Sequence, residues 1–138
     1  MIPVSPAQLP AALRACASGI HPLEAGTSLL IDHGSWLCRQ DFTSRFITTG
    51  TSISDGITML ATTDWEAAIT ALNDGELPSS GGEQRMLLLA ASIAGGIPVS
   101  LYETLPGIDQ RNASLVIKAI AHATGHTSLK TSIRQQTG

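Results

Sequence analysis

Four times along the chain a Ser or Thr with Glu or Gln three residues later stands just ahead of an apolar run: Ser5-Pro6-Ala7-Gln8, Thr63-Asp64-Trp65-Glu66, Ser80-Gly81-Gly82-Glu83 and Ser100-Leu101-Tyr102-Glu103. In such a capping box the hydroxyl accepts from the third amide of a helix while the longer side chain reaches back to the cap's own amide. Each box marks where a helix begins. Together they commit the chain to a succession of short helices.

The apolar residues agree with these starts. Behind Ser5, residues Leu9, Ala12, Leu13 and Cys16 fall at i, i+3, i+4 and i+7, and Gly19 offers a stop. A second helix is expected after His21-Pro22 and on to about Leu37, with Leu29, Leu30, His33, Trp36 and Leu37 inward. Asp41 is expected to cap a short helix carrying Phe42, Phe46 and Ile47. The stretch from Thr48 to Gly56, rich in Thr, Ser and Gly, reads as a loop, with room for a brief strand from Ile57 to Thr62.

The Thr63 box opens a helix with Trp65, Ala68, Ile69 and Leu72 at helical spacing, closed by Gly75. The Ser80 box opens one that is apolar nearly all round, through Met86, Leu87, Leu89, Ala90 and Ile93, and is therefore expected at the centre of the fold. Gly95-Gly96 ends it and Pro98 prevents continuation. Ser100 heads one or two turns that stop at Pro106-Gly107. Asp109 caps a last helix, expected to bury Val116, Ile117, Ala119, Ile120 and Ala123, with Gly125 past its end. The expected fold is all-α, a single-domain helical bundle of five to seven helices without an internal repeat. Residues 1–78 supply the N-terminal helices, 79–126 a tri-helical unit, and 127–138 a flexible basic tail.

Composition narrows the function classes. Of 138 residues 43% are hydrophobic but only 4% aromatic, so the core is expected to be Leu, Ile, Val and Ala. The longest apolar run, Met86 to Ala91, is far short of the roughly 20 residues that span a bilayer, and no membrane association is expected. Met1-Ile-Pro-Val has neither a basic n-region nor an apolar h-region, so no secretory signal is expected. Cys16 and Cys38 have no metal-ligand spacing and suggest no disulfide scaffold, which points to a reduced cytoplasmic setting. Charge is unevenly placed. Residues 1–109 set four arginines against all eleven acids, whereas 110–138 hold Arg111, Lys118, Lys130 and Arg134 with no acid. A basic end on an acidic body suits a polyanion, and it equally suits the negative dipole end of a terminal helix.

Signs of catalysis are weak. His122 and His126 have i, i+4 spacing, but Gly125 is expected to break the helix between them, so no metal is assigned. Asp32-His33-Gly34-Ser35 looks like part of a triad, yet neighbouring helical residues do not face one another and Ser35 lacks a Gly-x-Ser-x-Gly elbow. His33 reads as a core histidine and Cys16 as packing, while Cys38 lies beside Arg39. No Gly-rich phosphate loop precedes a Lys-Ser/Thr pair. No catalytic residue, metal or cofactor is expected.

Three resemblances follow from the motifs. Ser80-Gly-Gly-Glu-Gln-Arg85 with Tyr102-Glu-Thr-Leu-Pro-Gly-Ile-Asp109 resembles the signature and Walker B/D-loop stretch of ABC-type ATPases. Tyr102 stands where that family places an Asp, and without a Walker A loop there is no nucleotide site to complete. Residues 84 to about 134 are similar to a winged helix-turn-helix of bacterial regulators: Gln84 to Gly95, then Pro98-Val99-Ser100-Leu101, then Gly107-Ile108-Asp109 and a third helix. That resemblance implies that Gln110, Arg111, Asn112 and Ser114 meet base edges. Lys118, Lys130 and Arg134 would contact phosphates, with His126 to Arg134 as the wing. The same segment resembles short proteins of high-GC Gram-positive bacteria, a likeness that implies no activity.

The sequence thus supports a non-enzymatic cytoplasmic accessory or regulatory protein that binds double-stranded DNA through Arg111, Asn112, Ser114, Lys118, Lys130 and Arg134. The alternative is a helical module that binds a protein partner or a second copy of itself. It is motivated by the acidic body and by the scarce aromatics Trp36, Phe42, Phe46 and Trp65.

Overall fold

The Ser80 box closes on both sides in the computed structural model, which describes residues 5–126. Ser80 Oγ accepts the Glu83 N–H at 3.2 Å and Glu83 Oε1 accepts the Ser80 N–H at 3.0 Å. That second bond, first among several causes, holds the Glu83 carboxyl below its ordinary range. The helix so started runs Gly81–Gly95 and ends where Gly96 turns left-handed at φ +70°. Met86, Leu87, Leu89, Ala90 and Ala91 are buried along it, as its all-round apolar character requires.

In chain order the elements are α1 (Leu9–Ala17), α2 (His21–His33), a 3₁₀ turn (Trp36–Cys38), α3 (Gln40–Phe46), β1 (Ile47–Thr51), β2 (Met59–Thr63), α4 (Trp65–Asn73), α5 (Gly81–Gly95), α6 (Leu101–Thr104) and α7 (Gln110–Ala123). The helix α5 is central, with α2, α4, α6 and α7 packed on it, and α7 also lies along α2. One cluster of buried side chains runs from Ala25 of α2 through Leu87 of α5 to Ala119 of α7. A smaller one, Leu9, Ala12, Leu13 and Ala61, holds α1 on the sheet.

The molecule is mostly helical but not all-α. Residues 47–51, with Ile47 expected on a helix and 48–51 as loop, pair antiparallel with 59–63, and Thr49 lies opposite Ala61. Thr and Ile are β-branched and suit a pleated half-buried surface, so a Thr-rich run can serve as either loop or strand until a partner is present. The connection is held by Asp55, whose carboxylate accepts the amides of Ile57 at 2.8 Å and Thr58 at 2.9 Å and also the Thr58 hydroxyl. These bonds, led by the hydroxyl, hold its pKa at about 2.

Other boundaries shift for local reasons. The second helix stops at His33, not Leu37, because Gly34 takes φ +87°. Trp36 then enters the core on a 3₁₀ turn, where its indole N–H donates to the Glu83 carbonyl at 2.9 Å. Asp64, not Thr63, caps α4 by accepting the Ala67 amide at 3.1 Å. Asp41 lies inside the first turn of α3 and chelates the Arg39 guanidinium, while Arg39 itself stands at the cap. At the N-terminal box Gln8 accepts the Ser5 amide at 3.2 Å, and the helix begins at Leu9. Ser100 and Asp109 cap α6 and α7 as expected. Trp36, Phe42, Phe46 and Trp65 are all buried, and Phe42 stacks at 5.4 Å on both Trp36 and Phe46, so these aromatics build the core and not an interface. Among the described residues no helix is long and apolar enough to cross a membrane.

The tightest crossing is α2 on α5. An added Cβ at Gly26 would fall on the Ala94 methyl and within 2.6 Å of the Ala90 carbonyl oxygen. Gly82, in the first turn of α5, faces open space, with only Ser80 Oγ at 4.0 Å. The two glycines should therefore respond oppositely to alanine in denaturant unfolding. Gly82→Ala should gain about 0.4–1 kcal/mol from reduced unfolded-state freedom. Gly26→Ala should lose about 1–3 kcal/mol, because overpacking outweighs the propensity gain. Equal effects at both positions would contradict the close crossing.

Candidate functional site

Helix α7 turns Arg111, Lys118 and His122 toward α2, and the face between these two helices holds them together with Arg14, His21, Glu24 and Asp32. At its centre is Asp32, near the end of α2. Arg14 Nη2 lies 3.4 Å from Asp32 Oδ1 and Lys118 Nζ 3.4 Å from Oδ2. Arg111 donates to the Asp32 backbone carbonyl at 3.1 Å. The last carbonyls of a helix lack intrahelical partners and carry partial negative charge, so a guanidinium there satisfies both the hydrogen bond and the dipole. Arg14 also donates to Ser28 Oγ at 2.8 Å. A shallow groove of about 220 Å³ runs along this face, lined by Arg14, Ser28, Asp32, Leu115, Lys118 and His122.

At the other end of the groove three residues converge. His122 Nε2 lies 2.9 Å from Glu24 Oε1, and His21 Nδ1 lies 3.6 Å from the same oxygen. Glu24 Oε2 accepts the Gly19 N–H at 2.9 Å, which fixes the carboxylate plane. The His122 hydrogen bond first, and then the Gly19 amide, hold the Glu24 carboxyl below its ordinary range. The two imidazoles meet edge to face with centroids 6.2 Å apart.

This placement redistributes the residues expected to read DNA. Arg111 and Lys118 are exposed, but their cationic ends are held by α2. Asn112 is not on the exposed face: it is 8% exposed, its side-chain oxygen accepts from Arg111 at 3.3 Å, and its N–H is taken by Asp109. Ser114 is exposed, and its hydroxyl donates to the Gln110 carbonyl within the helix. Lys130, Arg134 and the tail at 127–138 lie outside the described residues. The outward face of α7 carries Ile117 and Ile120, 68% and 52% exposed, which the sequence reading had placed inside. Val116 and Ala119, from the same expected stripe, are buried as expected. Two apolar stripes lie side by side on α7, and only the docking onto α2 decides which one is covered.

The triad-like fragment is taken apart by the same docking. Asp32 is engaged with Arg14 and Lys118, and Ser35 lies past the Gly34 turn. His33 is half-buried, with its Nδ1 buried and without a hydrogen-bond partner. Burial first, and then the Arg111 charge, push its pKa below 6.5 against the opposing pull of Glu83 and Asp109. Cys16 is half-buried, Cys38 exposed, and both are free thiols. Ser80 and Glu83 of the ATPase-like stretch are spent on the α5 cap, and Asp109 caps α7.

Sequence reasoning missed His21, Glu24, Arg14 and Asp32 as members of one face. His21 and Glu24 are a His-x-x-Glu pair at the start of a helix, which is the only local sign. Their meeting with His122 closes a loop whose ends are 98 residues apart.

The His33 environment gives a pH dependence of known sign. A histidine whose folded pKa is depressed keeps the folded state favoured above the unfolded pKa, and that contribution is lost as pH falls toward the folded value. Urea unfolding at about pH 7.5 and about pH 5 should show falling stability, with a smaller fall in His33→Gln. An identical fall in both proteins would place the titrating group elsewhere. Comparison with protein-family models, with curated proteins and with solved structures finds no match to this chain.

Proposed function

We propose that the chain is a non-enzymatic cytoplasmic accessory or regulatory module that acts by binding protein, first of all a second copy of itself, through the outward face of α7. The observation that carries this reading is the exposure of Ile117 and Ile120 on a helix whose cations are turned the other way. An amphipathic helix on a monomer's surface puts polar residues outward, and apolar residues there mark a face that pairs with something. Ala113, Ser114 and Ala121 flank the two isoleucines and are small, so a partner helix can approach closely. Leu101, Tyr102 and Leu105, on the segment just before α7, are exposed as well.

A two-fold axis is the commonest solution for such a face, because the same stripe then serves both copies. Fully burying each isoleucine is worth about 1.5–3 kcal/mol. The cost of lost rotation and translation is of the same order as the sum, so the pairing is weak and reversible. DNA binding is the competing reading, and it asks more of this arrangement. Arg111 and Lys118 would have to exchange α2 for phosphate or base, and Asn112 would have to leave the core.

Sedimentation velocity from about 5 to about 500 μM separates the two. The expected result is a rise in mean mass with concentration, abolished in Ile117→Glu with unchanged melting temperature. A monomer at every concentration would count against the pairing. The DNA reading would gain from duplex binding that weakens steeply between about 50 and about 200 mM salt and is lost in Arg111→Ala.

A further inference from the structure

We infer that His21, Glu24 and His122 form a binding site for a divalent transition-metal ion of the zinc class, a site separate from the outward face of α7. Two imidazoles and one carboxylate are a donor set that zinc accepts, each at about 2.0–2.2 Å. In a tetrahedral ion such distances separate the donors by about 3.3 Å from one another. The two separations from Glu24 Oε1, 2.9 Å to His122 and 3.6 Å to His21, bracket that value. All three donor atoms lie within 4.8 Å of one another. The His21 side chain, 61% exposed at the first residue of α2, has room to move toward the other two.

The surroundings are arranged for this geometry. Glu24 Oε2 is tied to the Gly19 amide, so Oε1 stays aimed between the two rings, as an outer-shell hydrogen bond does for a metal-bound carboxylate. Gly125, at φ +82°, lets the chain leave α7 against His21: a Cβ there would stand 3.4 Å from the ring carbon Cδ2. A plain ion pair would need only one imidazole at this oxygen, and here there are two. Lys118, one turn before His122, is drawn away to Asp32 and does not compete for the carboxylate. Three protein donors leave a fourth position for water or an external ligand. An ion here would also clasp the end of α7 to the start of α2.

Zn²⁺ titrated into the full chain by calorimetry, and Co²⁺ followed by visible absorption, test the site. The expected result is one ion per chain with a Kd of about 1 μM or tighter, a raised melting temperature, and a tetrahedral Co²⁺ spectrum. His122→Ala and Glu24→Gln should each weaken binding at least about tenfold. His21→Ala, at an exposed position that leaves the core intact, should do the same, whereas His126→Ala should leave affinity unchanged. Absence of one-to-one binding, or affinity that survives both His21→Ala and His122→Ala, would overturn the assignment.

Discussion

Everything in this structure hangs on how closely α2 can approach α5. At Gly26 the two backbones come near enough that a methyl group would meet both the side chain and the carbonyl of α5. Ala25 beside it, and Ala90 opposite, are fully buried. With so few aromatics, the chain gains cohesion from small residues packed at short range, where dispersion contacts are densest. Trp36 and Phe42 then fill the space at the end of α2, and the Trp36 indole is locked to the first turn of α5 through the Glu83 carbonyl.

Once α2 is seated, its outer surface becomes the platform for α7. The polar partners on that platform are few and specific. Asp32 offers a carboxylate and a helix-terminal carbonyl, and together they take Arg14, Lys118 and Arg111. Exposed ion pairs of this kind contribute little stability singly. In the orientation that α7 takes, they lie on the α2 side, Val116 and Ala119 go inward, and Ile117 and Ile120 face out. The same orientation brings His122 over Glu24 and His21, at the opposite end of the groove. One docking geometry therefore produces both an apolar outward face and a cluster of metal-type donors.

What was legible in the sequence was what is local. Ser80, Ser100 and Asp109 cap their helices as their spacing implies, because a cap is decided within four residues. The Gly34 turn was not legible, since apolar residues continue past it at helical spacing and Trp36 serves the core from a 3₁₀ turn equally well. The Thr48–Thr51 strand was read as loop because its composition suits both, and only Met59–Thr63 across the hairpin decides. On α7 the two stripes differ by one position, Val116 against Ile117 and Ala119 against Ile120. Hydrophobicity alone favours the isoleucines for the core, yet in the docked helix they face out while Arg111 and Lys118 pair with α2. The candidate metal cluster lay furthest from view, because its members are drawn from both ends of the fold.

The winged helix-turn-helix likeness makes its sharpest demand on the start of α7. A recognition helix must present its first turns to the groove of DNA. Here Arg111 and Asn112, in the first turn of α7, are engaged with Asp32, Asp109 and one another. On the proposed reading, the working surface of α7 is its isoleucine stripe. The most direct measurement is a dilution series of amide NMR spectra on the full chain. Pairing through the stripe should give concentration-dependent shifts confined to Ala113–Thr124 and the neighbouring 101–105 segment. Spectra unchanged on dilution, with shifts at Arg111 and Asn112 on adding duplex DNA, would contradict it.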